Sequence, residues 1–530
     1  MKRTLSVLLL LILLISSAAA DELIPGHYTP PRVKEGQYPI QQQGVTLRYW
    51  TPIASAATAF ISSYGENPAY KKLQADTGVT LEFIHPSAGS EIDSFKTMLM
   101  SGSLPDMIQM TRDNWYSGGL RALYEEGAII DLTPYLDEYA PQYKEVIYHS
   151  ELSQKQIIDN GQVFGFYMIT FPGPVTYHRF NVNKTWLNEF GMSEPCTIEE
   201  YEAYFQAILD NKPGVIPLFF NADSVNHMAM VMGAYDMLLD FYVDPDGKTV
   251  RHYSIEPAYK EVLGLLHKWY EKGYISKDFA TMTGSEGQSM FDNQLIGCIG
   301  DSVDSTYTRS LTHKNFEVSN CPYPRLTHDQ KIGSAIGQFP VDSTMEYVTV
   351  ITSACKNVEA AILYLNYGYT FEGSLTAIFG VEGETWNWGE DGTPKYTDLI
   401  LKNPDGMTYS NVSYVLRNGV GSSYRYQDTI AHPAVAGNPD SYRIRTMWLN
   451  DENEQSFLRM PPITLTTEES ERRNEIMSQI NTYCKEMKLR FITGAEPLDN
   501  FESYVAEVEA MGIKEAISIT QDALDRFMGQ

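Results

Sequence analysis

The segment that most restricts the fold runs from residue 45 to residue 84. Val45-Thr-Leu-Arg-Tyr-Trp50 has the β-branched and aromatic content of a strand, and Gly78-Val-Thr-Leu-Glu-Phe-Ile84 has the same character. The spacing predicts a helix between them, around Pro68 to Asp76, so the unit reads as β-α-β with two parallel strands. Parallel strands need a covered sheet, which points to an α/β architecture. A second helix around Glu91 to Ser101 then leads through Leu104-Pro105-Asp106 into Met107-Ile-Gln-Met110, a short apolar strand.

Length sets the next limit. A chain of 530 residues exceeds what one core usually supports, and 35 Tyr, 22 Phe and 7 Trp supply material for at least two. Residues 1–20 read as a cleaved signal peptide: Lys2 and Arg3 precede the apolar run Leu5 to Ile15, and Ser16-Ser-Ala-Ala-Ala20 supplies small residues for a peptidase. The apolar run is short for a bilayer of about 30 Å, which argues against an anchor helix. Residues 21–44, with Pro30-Pro31 and Gln41-Gln-Gln43, read as a flexible leader. The expected location is extracytoplasmic, secreted or periplasmic.

A net charge of −27, from 67 acidic and 40 basic residues, makes nucleic acid and anionic membranes poor partners. The cysteines Cys196, Cys298, Cys321, Cys355 and Cys484 are odd in number and form no close pair, so they read as buried thiols. No Gly-x-Ser-x-Gly elbow, Walker loop, dinucleotide glycine pattern or His-Glu-x-x-His helix is present. Neighbouring acids such as Glu199-Glu200 point in different directions on a helix and do not face each other across a gap, as glycosidase carboxyls must. Asp244-Pro-Asp-Gly247 and Glu390-Asp-Gly392 lack the donor series of a calcium loop and read as hairpin turns. No cofactor, metal site or enzymatic activity is expected.

Helix punctuation is clear in several places. Thr197 followed by Glu200 forms a capping box, the helix from Tyr259 stops at Gly273, and Gly512 separates two C-terminal helices built around Phe501, Tyr504, Val508 and Ile513. These closing helices resemble those of the extracellular solute-binding proteins of bacterial carbohydrate ABC importers, in the lipoprotein LipO-like branch. Further blocks are similar to the same family in the same order: Gly119–Asp137, Gly161–Tyr167, Trp186 to Ala207, Tyr259–Phe279, and Gly380 to Asp398 with its Asp-Gly-x-Pro hairpin. The family also places a Cys for lipid attachment after the leader. Ala18-Ala-Ala-Asp21 stands there instead, so no lipid is expected.

The resemblance implies a two-lobed periplasmic-binding-protein fold of the maltose-binding type, with discontinuous lobes and a ligand cleft between them. Lobe one is expected from 45–168 plus 325–385 and lobe two from 169–324 plus 386–530, with crossovers near residues 167–173 and 322–324. The implied function is capture of an oligosaccharide by hinge closure and delivery to the importer's membrane permease subunits, by a monomer. A peptide or other non-sugar solute is the functional alternative, and a secreted glycoside hydrolase the enzymatic one.

Sugar rings offer apolar faces to aromatic side chains and hydroxyls to carboxylates, amides and guanidinium groups. Open α/β sheets place such groups at strand C-terminal ends. By that criterion Arg112, Asp113 and Trp115, which follow the Met107 strand, are candidate contacts, with a helix cap and a packed Trp as the structural alternative. Tyr64 follows the first strand, and Tyr167 lies at the first crossover. In lobe two Asn221 and Asp301 end strands where apolar residues give way to polar ones, an arrangement that caps or turns also explain. Trp386 and Trp388 are two apart and on opposite faces if extended, so at most one is expected to meet a ligand.

Overall fold

A computed structural model describes residues 28–42, 44–111, 115–171, 178–221, 225–302, 317–331, 343–390, 392–405, 407, 409–417, 425–428, 460–461 and 463–529. The chain divides into two units, residues 1–173 with 341–439 and residues 174–340 with 440–530. It therefore changes unit three times.

Unit 1 is built on a six-stranded sheet. The strands are β1 (Thr46–Trp50), β2 (Thr80–Ile84), β3 (Met107–Thr111) and β4 (Phe166–Phe171). β5 (His178–Asn183), β6 (Ile216–Phe219), β7 (Phe241–Val243), β8 (Val250–His252), β9 (Ile296–Ser302) and β10 (Val318–Cys321) belong to unit 2. β11 (Ser343–Ile351), β12 (Trp386–Trp388), β13 (Pro394–Tyr396) and β14 (Arg425–Asp428) return to unit 1. The order in the large sheet is β14-β4-β11-β3-β1-β2.

The expected β-α-β unit is present. β1 and β2 pair in parallel, Thr46 opposite Thr80 through Trp50 opposite Ile84, and the helix Pro68–Thr77 crosses between them. Asn67 caps that helix by accepting from Ala69 and Tyr70, Pro68 occupies its first turn, and Gly78 ends it at φ 76°. β3 joins β1 in parallel, while β11 runs antiparallel to both β3 and β4. Leu47, Tyr49, Met107, Ile108, Val348 and Val350 are buried in one core with Phe95, Tyr143 and Ile362 from the covering helices.

Unit 2 has a four-stranded sheet in the order β10-β5-β9-β6, with β6 parallel to β9 and the other neighbours antiparallel. Its core gathers Phe180, Val182, Tyr204, Phe205 and Trp269, and continues into the C-terminal helices through Ile480, Phe491, Tyr504 and Ile513. Thr197 and Glu200 form the expected capping box at 3.2 and 3.0 Å. Gly273 at φ 75° and Gly512 at φ 101° sit where helices were expected to end. Asp244 to Thr249 turns the β7–β8 hairpin, with Asp246 accepting from the Lys248 and Thr249 amides. All five cysteines are free thiols.

The expected division needs correction in two stretches. Residues 386–439 belong to unit 1: Trp386 packs with Phe371, Phe379, Tyr396 and Val412, and β14 lies parallel to β4. Residues 325–340 belong to unit 2, where the backbone of Arg325 exchanges hydrogen bonds with Cys196 and Ile198. Among the described residues, no helix is long and apolar enough to cross a membrane.

Candidate functional site

The sheet of unit 2 turns polar where β6 and β9 end. The two strands run parallel and pair Leu218 with Cys298 and Phe219 with Ile299; Asn221 follows the end of β6 by two residues, and Asp301 lies two residues beyond Ile299 in β9, so both stand at the same end of the sheet. Asn221 is half-buried and its amide donates to the carbonyl of Met282 at 3.4 Å. Asp301 is 7 % exposed and its carboxylate accepts from the Gln288 amide at 3.4 Å. Gln288 lies on the helix Gly284–Asp292, whose first turn is fixed by a Thr283–Glu286 capping box. That helix packs close because residue 287 is glycine: a Cβ there would meet the Phe219 ring at 2.6 Å. Sequence and packing together bring two polar residues, separated by 80 positions in the chain, to one end of one sheet.

A histidine that sequence reasoning missed joins these strand ends. His227, on the helix Val225–Met232, receives the Asn221 backbone N–H at Nδ1 (2.9 Å), and its Nε2 stands 3.0 Å from the carbonyl of Gly300. No motif marks the spacing Asn221 to His227.

Unit 1 has a comparable histidine. His85, just past β2, stands 2.7 Å from the Thr51 carbonyl through Nδ1 and receives the Tyr64 backbone N–H at Nε2 over 3.2 Å. Burial lowers its pKa below the ordinary value. Tyr64 is held further by its own hydroxyl, which accepts from Ala54 N–H at 3.0 Å, and burial pushes that phenol up to about 12. The loop after β1 is thus tied down from both ends.

The other expected contacts divide sharply. Tyr64 and Tyr167 are buried in the core of unit 1. Trp115 is 8 % exposed, its ring set against Trp50 and Phe95 at centroid distances of 5.5 and 5.8 Å. Trp386 is buried and donates from Nε1 to the Gly380 carbonyl at 3.2 Å. These four rings are therefore packed among neighbouring side chains of unit 1. Trp388 stays 43 % exposed at the end of β12, edge-on to Trp386 at 5.1 Å. Arg112 and Asp113 lie outside the described residues.

Among the described residues no three His, Cys, Asp or Glu side chains gather as metal ligands do. The arrangement at the β6–β9 corner offers an amide and a carboxylate, groups suited to hydroxyl hydrogen bonds.

Two α/β units assembled from discontinuous chain segments share the fold of solved solute-binding proteins. The chain belongs to the bacterial extracellular solute-binding protein family, whose sequence profile matches residues 51–373. It is 22 % identical to the fructooligosaccharide ABC transporter substrate-binding protein FusA of Streptococcus pneumoniae, over 92 % of each chain. With the lipoprotein LipO of Bacillus subtilis it shares 24 % identity over 69 % of this chain and 72 % of that one. The crystal structure of the alginate-binding protein AlgQ2 without calcium superimposes with a TM-score of 0.73 at 21 % identity, covering 93 % of this chain and 100 % of the other.

Proposed function

We propose that this protein is the solute receptor of an ABC importer, that it captures an oligosaccharide, and that it hands the sugar intact to membrane permease subunits. The observation that carries this reading is the match to FusA over 92 % of both chains, which extends through both α/β units of this chain. FusA is named for fructooligosaccharide and AlgQ2 for alginate, so relatives of this organisation handle glycans.

Within the chain, the proposed contacts are Asn221 and Asp301 in unit 2, and Trp388, Arg112 and Asp113 in unit 1. Asp301 accepts from sugar hydroxyls, Asn221 donates and accepts, and the open face of Trp388 stacks on a ring. A glycan without charge suits a body with a net charge of −27 better than a polyanion does.

The chain is proposed to bind without cleaving. A thermal-shift series over fructooligosaccharides, mannose-based oligosaccharides and short peptides tests the reading. A sugar present at 100 times its Kd raises stability by about 2.7 kcal/mol. Stabilisation by peptides alone overturns the assignment to glycans.

A further inference from the structure

We propose that His227 is the positioning residue of the β6–β9 corner, a neutral imidazole that ties the backbone of Asn221 to that of Gly300 and so fixes the side chains of Asn221 and Asp301 for the solute. The proposal rests on the assignment of that corner to solute binding made above.

The two hydrogen bonds define the ring's state. A backbone N–H can only donate, so Nδ1, which meets Asn221 N at 2.9 Å, carries no proton. A backbone carbonyl can only accept, so Nε2, at 3.0 Å from Gly300 O, carries one. Both ring nitrogens are committed to main chain, and each partner neighbours or belongs to a proposed contact: Asn221 itself, and Gly300 directly before Asp301. The ring is buried and wedged edge-on to Phe219 at 5.5 Å, which leaves it little rotational freedom.

The strand accommodates the ring through a glycine. A Cβ on residue 300 would come within 2.8 Å of His227 Cδ2 and 2.1 Å of Met230 Cε. Gly300 therefore lets the helix Val225–Met232 approach β9 closely enough for the imidazole to reach both strand ends. His85 links Thr51 and Tyr64 in unit 1 with the opposite tautomer, protonated at Nδ1. An imidazole thus links backbone of separate segments in each unit, and in unit 2 the segments it links carry Asn221 and, directly after Gly300, Asp301.

Three substitutions separate the two halves of the link. His227→Asn keeps an acceptor near the Nδ1 position, His227→Gln keeps a donor near the Nε2 position, and His227→Phe keeps neither. With the tightest-binding neutral oligosaccharide from a panel that includes kestose, calorimetry should show binding weakened about tenfold in His227→Phe, with partial rescue in His227→Asn or His227→Gln. Asn221→Ala and Asp301→Ala, measured beside them, should weaken binding as well.

If those two weaken binding while every folded His227 variant keeps full affinity, the positioning role is overturned and the corner remains a contact site. If Asn221→Ala and Asp301→Ala leave affinity unchanged, the assignment of the corner falls, and the inference with it. A test that needs no sugar is nitrogen NMR of the imidazole in the whole protein: a ring protonated at Nε2 alone is expected, and one protonated at Nδ1 overturns the proposal.

Discussion

Trp115 stands edge-on to Trp50, with ring centroids 5.5 Å apart and planes at 89°. Trp50 ends β1 opposite Ile108 of β3, and Trp115 follows β3 by a few residues, so the two indoles meet near the ends of the parallel strands β1 and β3. The edge-to-face geometry is the favourable one for aromatic quadrupoles, and Phe95 closes the remaining side at 5.8 Å. Trp115→Ala should therefore lower fold stability by about 3–5 kcal/mol, the usual cost of emptying an aromatic site in a core. Chemical denaturation of the variant checks this, with solute affinity of the folded fraction expected to stay as it was. A stable variant with weakened binding would return Trp115 to the solute.

Trp388 should behave in the opposite way. At 43 % exposure it leaves little cavity when truncated, so Trp388→Ala should change stability by less than about 1 kcal/mol. If its face stacks on sugar, binding should weaken by roughly 1–3 kcal/mol, taking base–aromatic stacking as the guide to magnitude. Calorimetry beside a melting curve separates the two effects.

Stability should fall on the acid side through His252. Its Nδ1 is 2.7 Å from Ser254 Oγ, its Nε2 has no hydrogen-bond partner among the described residues, and burial pushes the ring down to about 3. The carboxylate of Asp240, 3.8 Å away, is exposed and offsets this weakly. A folded pKa below the unfolded value of about 6.5 means that the unfolded chain binds the extra proton. This contribution is complete above pH 6.5 and is lost as pH falls toward 3, at up to about 1.4 kcal/mol per pH unit. His252→Asn should flatten the acid limb of a stability–pH curve. An unchanged slope would contradict the assignment.

Gly373→Ala sets helix propensity against packing. The residue lies in the helix Phe371–Phe379, where alanine is ordinarily favoured by about 1 kcal/mol. A Cβ there would sit 1.8 Å from the carbonyl oxygen of Tyr367, and the Thr370 hydroxyl already caps the Gly373 amide at 2.9 Å. Backbone must move, so the variant should be destabilised by a net 1–3 kcal/mol or so, read from its denaturation midpoint.

Local signals carried much of the architecture. Capping at Thr197, the stops at Gly273 and Gly512, and the alternation of strand and helix from Val45 to Ile84 all depend on neighbours within a few residues, and the structure has each of them where the sequence suggests. Long-range pairing was less legible. β14 completes the sheet beside β4 across more than 250 residues, and nothing in Arg425 to Asp428 announces that partner. The same limit governed the aromatic candidates, because the burial of Trp115 is decided by Trp50, 65 positions away. Asn221 and Asp301 were visible as polar endings of apolar strands. The contacts of His227 with Asn221 and Gly300 were not, since they depend on the close approach of a helix to Gly300.

The central claim is that the protein captures an oligosaccharide and returns it unaltered. It is tested most directly by titrating the intact protein calorimetrically with a panel of neutral oligosaccharides and then sizing the recovered sugar. The account predicts saturation at one sugar per chain for at least one member, with chain length unchanged after prolonged incubation. Saturation by peptides alone, or steady shortening of the sugar that is lost in Asp301→Ala, would contradict it.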